Sequence, residues 1–154
     1  MSNSAELVTL KHIKRVNELM AGFAVELISR GLVHDDSKFE PEELGPLQDM
    51  QELVEREGNA PYGSDEYKRR LGILKPMLDH HYANNSHHPE HYENGINGMT
   101  LFDVVEMSQD WIAAAERGGE TVVGLTSSQE RFNISEQLMD ILKNTYDYLE
   151  VKYK

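Results

Sequence analysis

The sequence predicts an all-α protein: a helical bundle of about five to six helices carrying one histidine-rich loop. Three observations lead there. Apolar residues recur every three to four positions over long segments. Capping residues, glycines and prolines punctuate those segments where helices should start and stop. No pair of alternating runs reads as strands, and Thr121-Val122-Val123 is the only short β-like stretch.

The first helix is expected over residues 5–30. Ser4 is a suitable N-cap with Glu6 in the first turn. Leu7, Leu10, Ile13, Val16, Met20, Phe23, Leu27 and Ile28 supply the helical period, and Gly31 suits the end. Ala21-Gly22 marks a weak point, since an interior glycine costs about 1 kcal/mol. Residues 32–38 form a short turn or helical segment. A second helix starts near Pro41, beside Glu42 and Glu43, is open to interruption at Gly45-Pro46 and fades near Gly58. Residues 58–63 are a loop. Ser64 caps a third helix that runs to about Tyr82, with Pro76 expected to kink or split it. Residues 84–99 are rich in Asn, Ser, Pro and Gly and read as an ordered loop holding three histidines. Thr100, with Asp103 three positions on, opens a fourth helix in a box-like arrangement. It passes through Trp111, which reads as a core residue, and stops at Gly118-Gly119. Ser127 or Ser128 caps a last helix running to the C-terminus, with Ile134, Leu138, Ile141, Leu142, Tyr146 and Leu149 as its buried stripe.

At 154 residues the chain fits one domain, 1–154. It has no cysteine, which excludes disulfides, thiolate metal sites and cysteine nucleophiles. No signal-peptide pattern and no apolar run of spanning length is present, so a cytoplasmic protein without membrane attachment is expected. The formal charge of −12 argues against a nucleic-acid polymer as partner. It would equally repel a small nucleotide, unless a metal cation or a placed lysine compensates locally.

The seven histidines are His12, His34, His80, His81, His87, His88 and His91, and five of them fall between positions 80 and 91. Neutral imidazole is the commonest protein ligand for transition metals. His12 lies beside the apolar stripe of the first helix. His34-Asp35 follows directly after that helix ends. Asp103, Glu106 and Asp110, spaced three and four apart, share one face of the fourth helix. Asp103 can simply complement the helix N-terminus, which makes Asp110 the better ligand. Donors from a helix, a turn and a distant helix, with an open position, are what a hydrolytic metal requires. Adjacent helical residues diverge by roughly 100°, so only one of His80 and His81 should face the site, with His81 favoured. His87 or His88 is expected to bind a second metal or contact phosphate, and His91 to stand aside. Asn84, Asn85 and Glu106 are candidates to orient a ligand or the substrate.

His12, then His34-Asp35, then a late Asp110 resembles the H…HD…D signature of the HD-domain phosphohydrolase superfamily. The run from His34 to Lys38 resembles the HD-x-G-K version of its cyclic-dinucleotide phosphodiesterases. The cluster His80 to His91, followed by Glu106 to Trp111, looks like a small bacterial and phage branch. The resemblance covers roughly residues 8–115. It implies an HD-type helical bundle, a divalent metal (Mn, Co, Zn, Mg or Fe) held by His12, His34, Asp35 and Asp110, and hydrolysis of a phosphate ester or anhydride. Two departures stand out. Lys38 replaces the acidic residue that single-metal nucleotidases carry three positions after the HD aspartate. The histidine cluster is richer than the minimal signature and leans toward a second metal, yet its spacing differs from that of the cyclic-dinucleotide enzymes and their Gly-Tyr-Pro element is absent.

These readings lead to an expected function. A metal lowers the pKa of a water to about 7, Asp35 binds metal and steers the water, and Lys38 holds a phosphate oxygen as a point charge. By analogy with the small enzymes of that superfamily, the resemblance implies a small nucleotide as substrate, a nucleoside 5′-monophosphate or a deoxynucleoside triphosphate. An HD-like di-iron oxygenase and a non-catalytic, metal-containing nucleotide-binding module are the alternatives.

Overall fold

The computed structural model describes residues 4–61, 63–119 and 122–154. Among them are six α-helices and one minimal strand pair, so the fold is all-α as the sequence predicts. The chain divides into two compact units, residues 1–34 and 35–154.

In the described part of the first unit, helix α1 spans Ser4–Leu32. It continues through both Gly22 and Gly31, ending slightly beyond the expected stop. At 1.5 Å per residue it is about 44 Å long.

The second unit opens on a 3-10 turn, Asp36–Phe39, and continues into α2, Pro41–Glu57. Pro41 occupies the start of α2, where a missing N–H costs nothing. Pro46 does not break the helix, because it removes only one hydrogen bond near the N-terminus. Gly58 closes α2 at φ 80°, a conformation that favours glycine, and its N–H bonds to the Val54 carbonyl. Helix α3 spans Asp65–Asn84; the Ser64 hydroxyl accepts from the Tyr67 N–H, and Pro76 is absorbed within the helix. The nearly buried Arg70 fastens α3 to the end of α2, donating to the Gly58 carbonyl at 2.9 Å and to Glu66 at 2.6 Å.

Residues 85–100 carry two 3-10 turns, Pro89–His91 and Gly95–Gly98. The second turn needs glycine: a Cβ on Gly98 would sit 2.7 Å from the Tyr92 Cβ. Helix α4 spans Leu101–Arg117 and starts with a complete capping box, in which Thr100 and Asp103 exchange side chain–backbone hydrogen bonds.

The expected single C-terminal helix is two helices. Helix α5 spans Leu125–Phe132, Asn133 turns into the left-handed region at φ 50°, and α6 spans Glu136–Tyr148. The cap of α6 is Ser135, whose hydroxyl accepts from the Leu138 N–H. Ser127 and Ser128 are not caps; both hydroxyls donate back to the Gly124 carbonyl. The break also rotates the stripe. Ile134, Leu142 and Tyr146 are buried as expected, whereas Ile141 and Leu149 are exposed and Met139 takes a core place.

Val122–Val123 (β1) pairs in parallel with Lys152–Tyr153 (β2). Thr121, expected to join that run, lies outside the described residues. This ladder brings the C-terminal segment against α4 and α5. The core there consists of Val123, Leu125, Ile134, Met139, Leu142 and Tyr146, with Trp111, Ile112 and Phe132 packed around it. Tyr146 is fully buried, and its hydroxyl donates to the Ser108 carbonyl at 2.9 Å, pinning α6 to α4.

Candidate metal centre

Four donors of the second unit converge. One ligand atom each from Asp35, His81, His87 and His88 lies within 4.8 Å of the other three. Asp35 comes from the turn before α2, His81 from the last turn of α3, and His87 and His88 from the segment that follows.

Asp35 is set by its backbone. It adopts a left-handed conformation, φ 61° and ψ 20°, which aspartate tolerates better than most residues. Its Oδ1 lies 3.3 Å from His81 Nε2 and 3.5 Å from His87 Nε2, and its Oδ2 is paired with the Lys38 ammonium. A carboxylate oxygen of Asp110 on α4 is within 4.8 Å of one of Asp35.

Each of two imidazoles is aimed by a carboxylate behind it. His81 Nδ1 is 2.8 Å from Glu43 Oε2, and His87 Nδ1 is 3.1 Å from Glu106 Oε1. An Nδ1–H donated to a carboxylate leaves the Nε2 lone pair pointing into the cluster, the usual preparation of a metal-binding histidine. With His81 in that form, its Nε2 accepts from the Nε2–H of His88 at 2.9 Å. Burial, reinforced by the neighbouring His87 and His81 rings, pushes the His88 imidazole down to about 3. It is therefore neutral at ordinary pH.

Glu43 was not singled out from the sequence, where it reads only as an acid in the first turn of α2. It is fully buried. Its second oxygen is 2.8 Å from His80 Nδ1. Burial raises its pKa, but hydrogen bonds with His80, Ser37 and His81 outweigh that and hold it below the usual carboxylate value. The bond to Glu43 in turn holds His80 above the ordinary histidine value. No local pattern could have shown Glu43, because its partners stand 37 and 38 positions away.

The other expected residues divide cleanly. Of the adjacent pair, His81 joins the cluster and His80 turns toward Glu40 and Glu43. Asn85 is buried and donates to Ser37 Oγ at 2.7 Å and to the His81 carbonyl at 2.8 Å, which fixes the end of α3 behind the cluster. Asn84 instead donates to the His80 carbonyl on the exposed side. His91 is bonded through Nδ1 to the Tyr82 carbonyl. Glu106 and Asp110 both reach the site from α4, whereas Asp103, on the same face, takes four donors of the 86–100 segment. His12 lies on α1 in the first unit, and His34 closes that unit one peptide bond before Asp35.

The donor set fits a divalent cation. It combines neutral imidazole nitrogens with carboxylate oxygens, the mixture that suits Zn, Mn, Fe or Co. Asp35, Glu43, Glu106 and Asp110 bring more negative charge than Lys38 balances, and carboxylates out of water need a counter-charge. If Glu43 orients His81, Glu43→Gln should fold normally but bind Zn²⁺ or Mn²⁺ about 10- to 100-fold more weakly. Competition with a chromogenic chelator reads this directly; an unchanged affinity would leave Glu43 a purely structural role.

Fold and donor geometry thus define an all-α protein with a candidate metal centre built from imidazoles and carboxylates. The chain belongs to DUF5662, a family of unknown function, whose family model matches residues 1–148. No curated protein and no solved structure matches it. Among the described residues no helix is long and apolar enough to cross a membrane.

Proposed function

We propose that this protein is a metal-dependent phosphohydrolase acting on a small nucleotide. The observation that carries the reading is the convergence of Asp35, His81, His87 and His88, with Glu43 and Glu106 behind two of the imidazoles. The His34-Asp35 and Asp110 elements of the HD-type pattern support it. A bound divalent cation supplies Lewis-acid polarisation of a phosphate oxygen and a water acidic enough to ionise near pH 7.

The chain's own residues supply the rest. Asp35, His81, His87 and His88 would hold the cation, with Asp110 beside Asp35. Lys38 holds a phosphate oxygen, its ammonium already stationed at Asp35. Asp35 accepts a hydrogen bond from the attacking water and aligns it. Glu43 and Glu106 keep His81 and His87 in the tautomer that presents Nε2.

The test is a panel of nucleoside monophosphates and deoxynucleoside triphosphates assayed with Mn²⁺, Co²⁺, Mg²⁺, Zn²⁺ and Fe²⁺. Phosphate or pyrophosphate release that chelation abolishes is the expected result. The same donors suit iron, so oxygen consumption is followed in parallel. Oxygen uptake without phosphate release would replace the hydrolase with an oxygenase, and tight nucleotide binding with no product under any metal would replace it with a binding module. Metal content of His12→Ala and His34→Ala tests the sequence expectation for those two residues.

A further inference from the structure

A cleft of about 400 Å³ adjoins the candidate metal centre. His88 and Asp110 line it, and so do Tyr82, Trp111, Phe132 and Arg131. The first two belong to the donor cluster or touch it. The other four supply three aromatic rings and one guanidinium.

These walls are organised. Trp111 and Phe132 are nearly parallel, with an interplanar angle of 7° and ring centroids 6.1 Å apart. The Arg131 guanidinium lies over the Phe132 ring at 4.7 Å and is held by Glu90 at 2.7 Å. Arg131 is thus a flat cationic surface laid on an aromatic one. Trp111 packs against the core as expected and, being half-buried, also lines this cleft.

Rings of this kind recognise planar groups. A nucleobase stacks on an aromatic or guanidinium face whatever its hydrogen-bonding edge, whereas a sugar phosphate offers no π-face. The volume falls in the range of small-ligand sites. We infer that this cleft is the base subsite of the enzyme: it takes the planar heteroaromatic ring of the substrate while the phosphate lies at His88 and Asp35. The substrate class is then a nucleobase-bearing phosphate ester rather than a sugar phosphate. This rests on the phosphohydrolase reading for the phosphate end, but the ring subsite can be tested without it.

Trp111 is the sole tryptophan of the chain and lines this cleft, so its fluorescence is a probe of occupancy there. Excited at 295 nm (clear of nucleobase absorption), the metal-free protein is titrated with adenosine, thymidine and ribose 5-phosphate, none of which requires turnover. A saturable change with either nucleoside and none with ribose 5-phosphate is expected. Ser127→Phe, which fills the cleft from an exposed position, and Arg131→Met should each weaken nucleoside binding about tenfold or more, with circular dichroism unchanged. Should neither nucleoside alter the Trp111 signal, the subsite is wrong. It is also wrong if AMP and ribose 5-phosphate are hydrolysed with equal kcat/KM and Ser127→Phe changes neither, an outcome that leaves the phosphohydrolase standing. Nucleoside binding that Ser127→Phe abolishes, with no phosphate released under any metal, would instead keep the subsite and remove the hydrolase.

Discussion

Asp35→Asn should reduce metal occupancy by more than about 100-fold, and with it the phosphate release of the proposed function, exceeding the 10- to 100-fold typical of a residue that only supports a ligand. The substitution isolates chemistry from backbone. Asparagine accepts the left-handed conformation that Asp35 adopts at φ 61°, so no strain is added, whereas alanine would pay for that conformation as well. What is lost is the negative charge between His81, His87 and Lys38. His81→Ala should match it, because it removes a nitrogen donor from the same cluster. Metal content after dialysis, measured by mass spectrometry, decides the matter independently of any substrate. Wild-type occupancy in both variants would place the metal elsewhere.

The largest effect on stability is expected at Asp103. This carboxylate is buried and accepts from four donors: Ser86 Oγ at 2.7 Å, Tyr92 Oη at 2.9 Å, the Thr100 N–H at 2.7 Å and Thr100 Oγ1 at 2.6 Å. It caps α4 and ties down both ends of the segment that carries His87 and His88. Asp103→Asn keeps the shape but turns one acceptor into a donor facing donors, and about 2–4 kcal/mol should be lost at pH 7.

The pH dependence has a defined sign. Burial raises the Asp103 pKa, but the hydrogen bonds from Thr100, Ser86 and Tyr92 outweigh it and hold the carboxyl far below its ordinary value of 3.8. The unfolded chain therefore takes up a proton first as pH falls. The contribution of Asp103 is complete above pH 3.8 and is lost progressively below it. Urea unfolding at a series of pH values should show the gap between wild type and Asp103→Asn narrowing as pH drops below 4. A gap that is constant with pH would mean that the charge of Asp103 is not what holds the segment.

Much of the fold was legible because its signals are local. Ser64 and Thr100 carry their caps in the side chain, and Gly58 ends α2 because it alone adopts φ 80° cheaply. The break between α5 and α6 had signals of the same kind, Asn133 and Ser135, but a continuous apolar stripe masked them. The deciding fact is packing. Met139 reaches full burial only when α6 starts afresh at Ser135, and Ile141 is then turned outward. The prolines misled for the opposite reason: each removes only one hydrogen bond, which helices anchored elsewhere can bear.

The sequence by itself determined the all-α class, the bunching of histidines between 80 and 91, and the lining-up of Glu106 and Asp110 on one helical face. These follow from composition and from the 3.6-residue period, which act over a turn or two of chain. Only the tertiary structure decided which of His80 and His81 joins the cluster, that Glu43 stands behind both, that Asp103 serves the segment rather than the site, and that Trp111 faces a cleft. Those choices depend on side chains brought together from separate elements, as far as 37 and 38 positions apart for His80 and His81 with Glu43, where periodicity carries no information and burial of charge decides which partners must meet.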